Sequence, residues 1–284
     1  FARLAATSWD SSCCCTFCSV IESRMVPVMN EQRDNLWQGV AIITGASSGM
    51  GEATARKLAK HAKGLIIGAR RIERLQALAS ELGEHVVPVR CDVRVKKEVD
   101  SLASTALSRF GQIDAIVNNA GVLPMASMLS CRVDDWDNMI DTNIKGVLNG
   151  IAAVLPHMLE QGTGRIINIS SEAGRRVFPG AGVYCATKHA VRALSEGLAH
   201  DLSIRSQKDG NDIKVTTIAP GVVLTNLADS VTHEPSKERL KQMMAQVPEA
   251  MTSEDIADCI QYVLNVPNHV EIGEMIVRPV KQIM

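Results

Sequence analysis

The sequence predicts an α/β fold, a single doubly wound domain on a parallel seven-stranded sheet with helices on both faces. Three observations predict it. Short apolar runs recur along the chain from residue 36, each long enough for a strand and too short for a helix. Longer stretches of helix formers separate them. The runs are apolar throughout rather than alternating, which marks strands buried on both faces. Right-handed crossovers then carry the helices to both sides of the sheet and leave ligands at the carboxyl ends of the strands.

The elements follow in order. Val40-Ala41-Ile42-Ile43 is the first strand, a turn covers residues 44–51, and a helix is expected over 52–61. A strand at 65–67 precedes a helix at 72–82, and one at 86–89 precedes a helix at 95–110. The strand at 113–117 leads to a long helix at 134–160, and that at 166–169 to a helix at 184–203. A strand at 215–218, a helix at 253–264 and a strand at 275–277 complete the domain. Residues 222–252 are polar, Met-bearing and weakly periodic, as expected of a lid that folds over a substrate. Residues 1–35 carry neither period and start without Met, so they read as a leader or non-native extension outside the domain at 36–284.

Composition excludes several function classes. Thirty basic against 31 acidic residues give a net charge of -1, which leaves no basic face for a nucleic-acid partner. No stretch approaches the ~20 continuous apolar residues of a membrane helix. Cys13, Cys14, Cys15 and Cys18 crowd the start, but no second Cys or His pair follows at zinc-site spacing, so no metal is expected. Cys91, Cys131, Cys185 and Cys259 show no framework spacing, as for free thiols in a reducing, cytoplasmic setting.

The turn after the first strand, Thr44-Gly45-Ala46-Ser47-Ser48-Gly49-Met50-Gly51, holds the strongest local signal. A sharp turn and a close approach to phosphate both favour glycine, and the helix that follows presents free N–H groups to a pyrophosphate. The same residues also satisfy G-x-S-x-G, the nucleophile elbow of a serine hydrolase, with Ser47 as nucleophile. That alternative needs an acid and a His on later strands, and no His follows an apolar strand in a suitable loop. At the end of the second strand, where NAD-binding folds place an acid, stands Ala69, followed by Arg70 and Arg71. Two guanidinium groups there fit a 2′-phosphate, so NADP is expected over NAD.

Further clusters appear in chain order: Asn118-Asn119-Ala120-Gly121, Asn143, Ser171, Tyr184-x-x-x-Lys188 and Pro220-Gly221. With the glycine turn, this set resembles the short-chain dehydrogenase/reductase family, single-domain Rossmann-fold enzymes, over nearly everything from Val40 onward. The Gly68-Ala69-Arg70-Arg71 run resembles its NADP-preferring branch, such as serine and 3-hydroxy-acid dehydrogenases and the clavulanic-aldehyde reductase. The ending Arg278-Pro279-Val280-Lys281-Gln282 is similar to that branch's Arg-Pro-Thr-x-Gln tail, with Val280 departing from it.

The resemblance implies an NADP(H)-dependent oxidoreductase acting on a carbonyl or secondary alcohol, such as a small hydroxy acid, aldehyde or ketone. It implies Gly45, Ser47, Ser48, Gly49, Met50, Gly51, Arg70, Arg71, Asp92, Asn119, Ala120, Gly121, Tyr184, Lys188, Pro220, Gly221 and Thr225 as cofactor contacts, with Asn118 bracing the sheet. Tyr184 is the expected general acid/base. Its phenol is too weakly acidic to act near neutrality unless Lys188 and the oxidised nicotinamide favour the phenolate. Ser171 is placed to polarise the same oxygen, and Ser170 faces the other way. Asn143 implies a water-mediated proton relay, and Lys188 a grip on the ribose. Arg175 and Arg176 stand beside the expected pocket, as surface ion-pair partners or as a site for a substrate carboxylate. A catalytically silent NADP(H)-binding regulator on the same fold is the alternative, although such a protein has no use for the proton relay. The helices at 134–160 and 184–203 imply a homodimer or homotetramer by analogy.

Overall fold

The computed structural model describes residues 36–282, apart from 226, 228, 229 and 246. The expected leader at residues 1–35, with its four cysteines, lies outside the described residues.

The seven apolar runs are strands: β1 Val40–Thr44, β2 Gly64–Ala69, β3 Val86–Arg90, β4 Ala115–Asn118, β5 Thr163–Ile169, β6 Asp212–Pro220 and β7 Glu274–Val277. They form one parallel sheet in the order β3-β2-β1-β4-β5-β6-β7. Successive side chains on a strand face opposite ways, and β1 divides accordingly. Ala41 and Ile43 pack with α1 (Gly49–Leu58), α2 (Ile72–Leu82) and α8 (Ser253–Asn265) through Leu58, Leu75 and Ile256. Val40 and Ile42 pack the other way, against α3 (Lys96–Phe110), α5 (Gly146–Gln161) and α6 (Gly182–Asp209), through Leu102, Val154 and Val191. Ile42, Ile43, Ile66 and Ile67 are fully buried, each contributing about 1.5–3 kcal/mol relative to exposure. Strand order reverses between β1 and β4, and a crevice opens there at the carboxyl ends.

Asn118 ties the centre of this sheet. Its Nδ2 donates to Asn168 Oδ1 at 2.8 Å, and Asn168 Nδ2 donates to Ser195 Oγ at 2.9 Å, linking β4, β5 and α6. Helix α5 rides so close that a Cβ on Gly150 would lie 2.0 Å from Asn118 Oδ1.

The structure divides the helix expected at 134–160. α4 (Val133–Ile140) and α5 are joined by a π-helical turn, Asp141–Lys145, with Asn143 at its centre. Such widened turns arise where a side chain needs a direction the regular spiral does not supply. Here Asn143 pairs with the backbone of Val122, accepting its N–H at 2.9 Å and donating to its carbonyl at 3.0 Å. The helix expected at 184–203 is longer, α6, and stops at Gly210 in the left-handed conformation (φ 72°). The expected lid contains a helix of its own, α7 (Glu234–Ala245). No helix among the described residues is long and apolar enough to cross a membrane.

Candidate active site

The glycine turn builds one end of the crevice from backbone. Gly45 and Gly49 take left-handed φ values of 69° and 57°. A Cβ on Gly45 would lie 2.8 Å from Ala120 Cα, and one on Gly51 would lie 2.5 Å from both Gly45 O and Asn119 Nδ2. Asn119 braces the turn, donating from Nδ2 to Thr44 O at 2.9 Å, while Thr44 Oγ1 accepts the N–H groups of Asn119 and Ala120. α1 starts at Gly49, and Ser48, its N-cap, makes no side-chain capping hydrogen bond.

Beside the turn lies a cleft of about 360 Å³, a volume suited to a small-molecule ligand. Gly45, Ser47, Ser48, Gly49 and Met50 line one wall. Arg70, Arg71 and Asp92 line a second, and Asn119, Ala120, Gly121 and Thr225 a third. Sequence reasoning named Ala69 only as the strand end that lacks an acid, and it missed Cys91, Val93, Val122, Thr142, Leu227 and Ser230, which also line the cleft. Cys91 and Val93 were findable by position, since they follow β3. The other four carry no local signal.

The arginines carry the charge of this end. Arg71 reaches the turn, donating to Ser47 Oγ at 2.9 Å and to Ser48 Oγ at 2.8 Å. It does so from the N-cap position of α2, where the helix dipole disfavours a cation. The Ser47 hydroxyl thus faces a guanidinium, which cannot serve as the base a serine nucleophile requires. Asp92 accepts from the Arg94 guanidinium at 2.6 Å, and that pairing, with the charge of Arg70, holds its carboxyl below the usual range. Arginines, hydroxyls, a helix start and a turn without room for a Cβ make a donor set that fits a phosphorylated dinucleotide.

The other end is built from buried side chains. Tyr184 and Lys188 lie one turn apart on α6, 8% and 5% exposed. Lys188 Nζ stands 5.8 Å from the Tyr184 ring centre and donates to Ile169 O at 2.8 Å. Ser171, two residues beyond the end of β5, hydrogen-bonds the Tyr184 phenol. Its Oγ also accepts the N–H of Ala173 at 3.1 Å and donates to Pro220 O at 3.4 Å. Ser170 points the other way, donating to Lys188 O at 3.0 Å. Asn143 Nδ2 donates to Thr187 Oγ1, which donates to Tyr184 O at 2.7 Å.

Burial opposes charge on both members of the pair. It pushes the Tyr184 phenol up to about 12 against the lowering hydrogen bond from Ser171, and it pushes the Lys188 ammonium down to about 8. Burial is the largest influence on each group, and on Tyr184 it favours the neutral phenol.

The two ends meet at Gly121, which lines the cleft. A Cβ there would lie 3.4 Å from Asn143 Oδ1 and 3.7 Å from Lys188 Nζ. Other expected contacts are placed differently. Gly221 abuts the chain's end, its N–H donating to Val277 O at 2.7 Å, and a Cβ on it would lie 2.4 Å from Gln282 Oε1. Arg175 pairs with Glu274, at 2.9 Å through Nε, and Arg176 Nε lies 3.8 Å from Glu172. Both arginines thus face acids of this chain.

Comparison with known proteins agrees with this geometry. The family model for short chain dehydrogenase matches residues 39–236. An uncharacterised oxidoreductase of Staphylococcus saprophyticus is 41% identical over 250 residues, which is 88% of this chain and 99% of the relative. A serine dehydrogenase solved in a closed form with NADP+ superposes with a TM-score of 0.79 at 35% identity, covering 86% of this chain and 96% of its own. A 3-ketoacyl-(acyl-carrier-protein) reductase of Brucella melitensis, complexed with NADH, gives a TM-score of 0.75 at 27% identity, covering 88% and 100%.

Proposed function

The chain belongs to the short-chain dehydrogenase family, and from that premise we propose an NADP(H)-dependent reductase or dehydrogenase of a carbonyl or secondary alcohol. The observation that carries the reading is the junction at Gly121, where a cleft suited to a dinucleotide runs into Asn143 and Lys188, beside Tyr184. Relatives bind either phosphorylated or unphosphorylated cofactor, so the preference for NADP rests on this chain's Ala69, Arg70 and Arg71.

In this reading the start of α1, with Ser47 and Ser48, holds the pyrophosphate, Arg70 and Arg71 hold the 2′-phosphate, and Asp92 meets the adenine. Thr225 faces the carboxamide, and Lys188 the nicotinamide ribose. When bound, the nicotinamide would supply or accept the hydride. Tyr184 gives a proton to the carbonyl oxygen in reduction and takes one from the alcohol in oxidation. Ser171 donates a hydrogen bond to the same oxygen, where charge develops. Lys188 restores the Tyr184 proton through the Asn143 side of the site. The substrate is a small hydroxy acid, aldehyde or ketone, and the protein works as a homo-oligomer.

The test is loss of reduced-nicotinamide absorbance with NADPH or NADH over a panel of aldehydes and ketones, with the reverse run on NADP+ and 3-hydroxy acids. Turnover faster with NADPH is the expected result. Absence of both turnover and NADPH binding by fluorescence would falsify the reading, and tight binding without turnover on any substrate would favour the silent regulator.

A further inference from the structure

Glu172, the residue after Ser171, is 5% exposed in the short 3-10 turn Glu172–Gly174. A carboxylate so deep is costly unless cations and donors surround it, and here the end of the chain supplies most of them. Oε1 lies 3.5 Å from Arg278 Nη1 and 3.8 Å from Arg176 Nε, while Oε2 accepts a hydrogen bond from Gln282 Nε2. The other end of the Gln282 amide is also used, since its Oε1 accepts the Val222 N–H at 2.9 Å. Val222 directly follows the Pro220-Gly221 turn, and Pro220 O is the acceptor for the Ser171 hydroxyl. One glutamine amide therefore ties two loops that meet at the Ser171 hydroxyl. Gly221 is the only residue type that fits between them, because a Cβ would meet Gln282 Oε1 at 2.4 Å.

We propose that Glu172, Arg278 and Gln282 form a clasp through which the C-terminal tail positions the Ser171 hydroxyl and the turn at residues 220–222 for the reacting oxygen. These are positioning residues, acting through Ser171, and the inference rests on Ser171 polarising the substrate. Three features argue for position rather than bulk stability. The carboxylate sits next to the hydroxyl in sequence, so any shift of Glu172 moves the Ser171 backbone. Ser171 itself caps the turn, its Oγ accepting the Ala173 N–H. Gln282 is only half-buried at the rim, where burial alone contributes little.

The experiment uses the full chain with Gln282→Ala, and Glu172→Gln as a second variant that keeps the shape of the side chain. The first measurement is hydrogen exchange of the cofactor-free protein. Faster exchange is expected in peptides covering residues 172–174 and 222, with residues 45–51 unchanged. Unchanged exchange at 172–174 in both variants overturns the clasp without reference to substrate. The second measurement is a double-mutant cycle on NADPH-dependent reduction of 4-nitrobenzaldehyde. Gln282→Ala is expected to lower kcat roughly tenfold, as for a misplaced polarising group, with NADPH affinity unmoved. In a Ser171→Ala background the same change is expected to cost almost nothing, because the group it positions is gone. An equal loss in both backgrounds shows a general structural role and overturns the proposal. Wild-type turnover in Ser171→Ala alone sinks the assignment of Ser171, a result distinct from failure of the exchange measurement.

Discussion

The two ends of the cleft are made of different material. At the proposed phosphate end the work falls to backbone: two glycines in left-handed conformations and a helix start, with the buried Ser47, the half-buried Ser48 and two exposed arginines around them. At the catalytic end it falls to side chains withdrawn from water: Tyr184 and Lys188, with burial driving their proton affinities in opposite directions. A backbone site tolerates variation in side chains as long as its glycines stay, whereas a buried pair depends on each atom. The difference teaches that binding and chemistry should be separable by mutation, since Gly121 is where the two ends touch.

The largest effect expected is on chemistry alone. Tyr184→Phe removes one oxygen from the buried end, so turnover should fall by about three orders of magnitude or more, in line with loss of a positioned acid/base. NADPH affinity by fluorescence titration should stay within roughly twofold, because the phenol contributes little to binding a ligand held mainly by phosphate contacts. Substantial residual reduction would show that Tyr184 does not carry the proton.

The converse break comes next. Replacing Arg70 and Arg71 together with Ala should weaken NADPH by at least roughly 100-fold, the sum expected for two charge-assisted hydrogen bonds to phosphate, and NADH far less. The single variants sharpen this. Arg71 also donates to Ser47 and Ser48, so Arg71→Ala should weaken both cofactors somewhat, whereas Arg70→Ala should act on NADPH alone. Equal losses for both cofactors in the Arg70 variant would show that the 2′-phosphate lies elsewhere.

The two ends also differed in how far they could be read from sequence. The glycine turn is local, so Gly45, Gly49 and the arginine pair were legible from spacing, and each lies where the spacing put it. The seven strands were legible for the same reason, as apolar runs bounded by turn residues. The π-helical turn was not, because one Asn in an otherwise helical stretch does not reveal that its side chain will bond the Val122 backbone. Gln282 was legible only as part of a tail pattern. Its partner Glu172 is 110 residues away, and pairings at that separation leave no trace in local periodicity. Burial of Tyr184 and Lys188 was likewise invisible, since α6 is weakly amphipathic and the Tyr–Lys spacing alone suits an exposed face equally well. What escaped the sequence is thus what only the tertiary fold supplies: burial, and contacts between distant loops.

The smallest effect, on stability, isolates burial at the catalytic end. Lys188 ordinarily titrates near 10.5 and is driven down to about 8 by desolvation, with no acidic partner offsetting it. Between those two values the unfolded chain binds more protons at this residue than the folded one, so stability rises as pH increases through the window. Below pH 8 both states are protonated and the cost of the buried charge is carried in full. Tyr184 works in the opposite sense. Its raised value leaves the folded state holding the proton longer, so its contribution is complete below pH 10 and declines only above it. Between pH 8 and 10 the Lys188 contribution therefore stands apart. Chemical denaturation of the cofactor-free protein should show wild type gaining about 1–3 kcal/mol over Lys188→Met across that interval, since other titrating groups are common to both proteins and cancel. Parallel curves would mean that Lys188 is hydrated in the free protein and that its depressed affinity arises only when ligand closes the site.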